Sequence, residues 1–166
     1  MTSPSRAPLG AVATMVAGFV MIGLAEGSLG IAWPAMRESF GQPLAAIAFL
    51  LYATTIGYLV TSLALAHLAM RVPTGPLLVV APACGALGAA TVAVAPALVV
   101  AVAGAFLLGA ASAGVDGRLN TYTSVHLGPH LLNVMHGGFG VGAFVGPLGV
   151  TALLAAGVSW RWAYGA

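Results

Sequence analysis

Apolar residues in this chain do not alternate with polar ones; they run on for twenty or more positions at a time. Residues 9–32 hold one charged side chain, Glu26, and residues 77–94 hold none. Runs of this length are too long for buried strands and match the roughly 20 residues a helix needs to cross a hydrocarbon core. Five such runs fit, at about 9–32, 45–69, 77–94, 98–121 and 131–156. The pattern predicts an all-α, polytopic transmembrane helix bundle.

The breaks between runs carry turn chemistry. The first, "WPAMRESFGQPL", holds Pro34, Arg37, Glu38, Gly41 and Pro43 and reads as a loop. "MRVPTGP" ends the second run, Ala95–Pro96 makes a tight turn after the third, and "HLGPH" at 126–130 separates the fourth from the fifth. "GVSWRWAYGA" at 157–166 reads as a loop and the start of a sixth span. Three parts follow: a short polar N-terminus at 1–8, a five-span bundle at 9–156, and an outer loop with the start of a truncated span at 157–166. The first run exceeds a signal-peptide core and is expected to be retained.

Composition strengthens this picture. Of 166 residues, 60% are hydrophobic and 5% charged, against about 25% charged in soluble domains. The expected partner is the lipid bilayer. A net charge of +2 without a basic cluster gives no nucleic-acid surface. Five spans place Arg6 and Arg71 on one side, with Arg118 near its edge, and Arg37 and Arg161 on the other. The positive-inside bias then puts the N-terminus in the cytoplasm of a cell (inner) membrane. Trp33, Trp160, Trp162 and Tyr164 fall together on the outer side, where an aromatic belt is expected.

Within the spans, Gly138, Gly142 and Gly146 recur every four residues and form a close-packing face; Ala110 and Gly114 repeat that spacing. Intramembrane acids are costly and are candidates for function. Asp116 and Asn120 share one helix face, as do Asn133 and His136. For Asp116 two readings stand: a carboxylate facing a polar cavity, or an interfacial anchor. Glu26 carries the same pair of readings. From the helical rise, Glu26 lies roughly 26 Å after Leu9 and Asp116 roughly 27 Å after Leu98, so the two are expected toward opposite membrane faces. On the second span, Tyr52, Thr55 and Ser62 lie near one face, either lining a cavity or bonding back to their own helix.

Other chemistry has little support. Cys84 is the lone cysteine. Gly128 and Pro129 interrupt the His126–His130 pair, so no metal site or other cofactor is expected. "GFGVGAFVG" lies inside a span and follows no strand, which removes a phosphate-cradling role. No paired carboxylates and no Ser–Lys set support an intramembrane enzyme.

Over nearly its whole length the chain resembles the N-terminal half of a major facilitator superfamily transporter, most of all the branch of fucose and hexose proton symporters and many uncharacterised bacterial relatives, with Asp116 to Pro147 as the more specific part. Asp116 and Asn120 match that branch's fourth-span pattern. Leu132, Asn133, Phe139 and Gly140 match the fifth, with His136 at a polar position. "YATTIGY", with Gly57 and Tyr58, resembles its second span, and "SWRW" the outer start of the sixth. "GAFVGPLG" also resembles part of the fifth-span motif of drug–proton antiporters, which keeps a drug or metabolite exporter open.

The resemblance implies transport of a small polar, sugar-like solute, with protons as coupling partner and no enzymatic activity. Asp116, Asn120, Asn133, His136, Glu26 and Tyr52 are its candidate solute- or proton-binding residues, and Arg71 a gating-loop residue. There are departures. "AHLAMRVPTG" keeps Leu68 and Arg71 of the gating loop but lacks its Asp and leading glycine. The first-span acidic position falls at Gly30, one turn after Glu26. The superfamily has two six-span halves, so a truncated product, or one piece completed by a C-terminal half or second chain, is expected. A non-transporting membrane fragment is the alternative.

Overall fold

The structure is a computed structural model that describes residues 8–68 and 74–165. It is an all-α bundle, with no strand among the described residues. The helices are α1 (Leu9–Phe40), α2 (Ile47–Leu68, entered through a 3₁₀ turn at Leu44–Ala46), α3 (Thr74–Val94), α4 (Leu98–His126), α5 (Pro129–Ala155) and a short α6 (Trp162–Gly165). Five of them are long and apolar enough to cross a membrane.

The first break lies elsewhere than the sequence suggests. Helix α1 runs through Pro34 and ends eight residues after Ala32. A proline forfeits one hydrogen bond and crowds the carbonyl four residues back. Here that position is Gly30, and the rest of the helix holds on either side. The true stop is Gly41, at φ 63°. Its N–H donates to Glu38 O at 3.2 Å, and Gln42 N–H donates to Arg37 O at 2.8 Å. This left-handed cap closes the helix end as glycine caps commonly do. Helix α4 likewise continues past residue 121 to His126.

Helix α4 is the centre of the bundle: 50% of its apolar span is buried, against 17–22% in the others. It packs mainly on α2 and α3, while α1 packs mainly on α5. The α1–α5 seam is glycine on both sides. Gly138, Gly142 and Gly146 are buried and face Val16, Val20 and Leu24 of α1. In return Gly23 and Gly27 of α1 face the backbone of Phe139 and Ala143. In lipid, such close backbone approach replaces the hydrophobic force that drives packing in water. Ala110 and Gly114 do not form a second continuous seam. Ala110 meets Gly57 on α2, whereas Gly114 meets Ala81 on α3.

One apolar cluster gathers where α1 turns into α2, α3 into α4 and α5 into α6, with Trp33, Met36, Leu50 and Trp160 at its heart. The expected aromatic belt is for the most part inside this cluster. Trp33 is 1% exposed and donates its indole N–H to Leu44 O at 2.9 Å; Trp160 is 3% exposed and donates to Ser39 Oγ at 3.0 Å. Only Trp162 of the three tryptophans faces outward. A buried indole needs an acceptor, and the loop carbonyl and the serine supply it. At the opposite end Met15, Phe19, Leu119 and Met135 form a second cluster.

Candidate functional site

Asp116 is ten residues from the end of α4 and eighteen from its start. Glu26 is seventeen residues into α1 and fourteen from its end. Both are therefore mid-helix, and both line one small cavity of about 320 Å³. This corrects the expectation of opposite faces. The rise per residue was sound, but both helices run on past their expected ends. It also brings together two carboxylates that the linear sequence keeps ninety positions apart.

The Asp116 carboxylate accepts two short hydrogen bonds. Asn120 Nδ2 donates to Oδ1 at 2.7 Å, one turn along the same helix. The Tyr58 hydroxyl donates to Oδ2 at 2.7 Å, from α2. Local packing explains the second bond. Gly57 lies against the α4 backbone at Phe106 and Ala110, so the next residue, Tyr58, can lean along α4 toward Asp116. Hydrogen bonds to an ionised group are the stronger kind, and here one joins two helices.

His136 of α5 reaches the same cavity, and its ring meets Phe19 of α1 edge-on at 5.1 Å. Phe19, Ile22 and Phe139 supply the apolar part of the wall. A larger cavity of about 440 Å³ adjoins it, and Glu26 and Tyr58 belong to both. Its walls come from α1, α2 and α4, with Val92 of α3 and Tyr164 of α6.

The remaining candidates fall differently. Asn133 is exposed and lines neither cavity. Tyr52 is 66% exposed and also lies outside both. The second span instead offers Thr54, Thr55 and Tyr58, because Leu50 and Ala53 turn into the core and rotate Tyr52 outward. Thr55 bonds back to Leu51 O at 2.9 Å, as does Thr54 to Leu50 O at 3.0 Å. Gly138, Gly142 and Gly146 belong to the α1–α5 seam. Arg71 lies outside the described residues. Tyr58 is the residue that spacing arguments passed over as an Asp116 partner. The glycine before it, which lets α2 approach α4, was the available signal.

Comparison with protein-family models, with curated proteins and with solved structures returned no match.

Proposed function

We propose that this chain forms one wall of a transmembrane pathway for a small polar solute, with Asp116 as the solute- or proton-binding carboxylate. One observation carries the reading. A mid-span carboxylate faces a cavity and is held by donors from two directions, Tyr58 and Asn120. A charge placed so deep in an apolar helix is costly, and an anchoring role would put it at a helix end. Glu26 and His136 supply further polar contacts on the same wall. The pattern from Asp116 to Pro147 supports a major facilitator type of transporter, with the facing wall supplied by a second bundle on the same polypeptide or another chain. The distribution of arginines supports a cytoplasmic N-terminus in a cell membrane.

Transport assays on proteoliposomes test this. Solute flux should be lost in Asp116→Asn while the protein still inserts and purifies as wild type. Flux unchanged by the substitution removes Asp116 from the mechanism. Absence of flux with every solute and gradient leaves a packing role for the five helices.

A further inference from the structure

Glycine contacts divide the five long helices into two sets. Gly23, Gly27, Gly138, Gly142 and Gly146 set the α1 and α5 backbones against each other. Gly57 rests on Phe106 and Gly109 on Thr54, which joins α2 to α4, and Gly88 and Gly104 face each other between α3 and α4. Among the described residues no glycine seats α1 or α5 on the backbone of the other three. Gly18 of α1 faces only the side chains of Val115 and Leu119, at 3.4 and 3.6 Å. The α1–α5 pair therefore meets the α2–α3–α4 trio side chain on side chain, mainly along α4. Both cavities lie in this joint. Glu26 and His136 stand on the pair's side of the smaller one, Tyr58 and Asp116 on the trio's. A close-packed interior leaves few voids larger than a water, so the joint lacks the interlocking that fixes α1 on α5.

The two ends of the joint are fastened differently. At the Trp33 end, apolar side chains from all five long helices close it, and Trp33 donates its indole N–H to Leu44 O. At the other end the fully buried Thr123 hydroxyl donates to Met135 Sδ of α5 at 3.4 Å and lies 4.0 Å from Met15 Sδ of α1. A thioether is a weak acceptor, so this clasp is cheap to release. Phe19 belongs both to the Met15 cluster and to the wall of the smaller cavity; the cluster is the plug between that cavity and the N-terminal face of the bundle. Here α5 is tied to α4 by a turn at Leu127–Gly128, with Gly128 at φ 89°. Glycine moves between such conformations without a Cβ penalty, and residues at element ends are where hinges absorb dihedral change. Helix α1 joins the trio through the chain only at its far end, by residues 41–46. We propose that α1 and α5 swing as one body against α2, α3 and α4, about an axis from Gly128 to the Trp33 cluster, so that Met15 and Phe19 leave Thr123 and Leu119 and open the smaller cavity to the N-terminal face. Only the use of that opening by a solute rests on the transport reading; the motion stands without it.

Spin-label distances in the full chain in lipid nanodiscs test it. Cys84 is the lone cysteine, so Cys84→Ala gives a clean background for labels at the exposed positions 14, 79, 125 and 134. Thr14 with Val134 lies within the α1–α5 pair, Val79 with Val125 within the trio, and Thr14 with Val125 across the joint. Met15→Ala removes plug contacts that exist only when the joint is closed. In that variant the pair across the joint should give two distances about 5 Å apart, the scale of one helical turn in such transitions, with a larger share of the longer one than in the Cys84→Ala parent. The two pairs within the bodies should keep one narrow distance. Met21→Ala, at an exposed methionine of the same helix, should match the parent. A single narrow distance across the joint in Met15→Ala, equal spreading within the bodies, or the same shift from Met21→Ala overturns the inference. Two distances without solute flux keep the joint and defeat the transport reading. Flux with a single distance across the joint does the reverse.

Discussion

The hydroxyl of Tyr58 donates to Oδ2 of Asp116 at 2.7 Å and so ties α2 to α4 at the wall of both cavities. Tyr58→Phe removes this bond and keeps the ring. An interhelical hydrogen bond in a membrane is worth about 1 kcal/mol, so thermal unfolding in detergent should show a loss of that size. Uptake should fall by more than this loss explains, because Asp116 is left with Asn120 alone. An unchanged uptake rate would make the bond purely structural.

The helical architecture is legible in the sequence, because long uncharged runs have few other solutions. The Asp116–Asn120 face was legible for the same reason: four residues along a helix must share a side. Three features were hidden. Pro34 reads locally as a break, yet neighbouring helix carries on beyond it, and that misplaced the depth of Glu26. The partnership of Tyr58 with Asp116 depends on how closely α2 and α4 approach, and that distance is set by Gly57 and Gly109 packing on the opposing backbones. Periodicity within one helix carries no information about such an approach. The burial of Trp33 and Trp160 was hidden likewise, since the acceptors for their indoles lie in other segments.

The α1–α5 seam predicts a sharp contrast between glycines on one helix. A side chain at Gly142 would run into Val20 O and Leu24 N, whereas at Gly140 it would meet nothing. Gly142→Val should force α1 and α5 apart and cost about 3 kcal/mol or more, at the upper end of overpacking penalties. Gly140→Ala should be neutral or stabilising by up to about 1 kcal/mol, from helix propensity. Size-exclusion profiles and unfolding temperatures of the two variants check this. Equal behaviour would mean the seam is not where α1 and α5 meet.

Arg161 makes two contacts that fasten the segment before α6 to the end of α3. Its Nη1 donates to Ala93 O in the last turn of α3 at 2.7 Å, and its guanidinium lies 4.6 Å from the centre of the Trp160 ring. The first satisfies a carbonyl at the negative end of a helix dipole; the second is a cation–π contact. Arg161→Ala should lose both and cost about 1–2 kcal/mol. Arg161→Lys should recover part, since a point charge can reach the carbonyl but cannot lie flat on the indole. Unfolding measurements on the pair, with Trp160 fluorescence as a local probe, separate the two contributions.

The end of α1 gives the last contrast. Pro34 looks like the helix breaker, but Gly41 does the stopping, with φ 63° and hydrogen bonds from its own N–H and that of Gln42. Gly41→Ala places a Cβ in the left-handed region and should cost about 1–2 kcal/mol. Pro34→Ala restores an N–H that can donate to Gly30 O and removes the ring's crowding, so stability should be unchanged or higher. Thermal unfolding decides between them. A large loss at Pro34 with none at Gly41 would return the helix end to the position the sequence suggests, and with it Glu26 to the far end of its span. The depth of Glu26, and so its place beside Asp116, therefore depends on which of these two residues ends the helix.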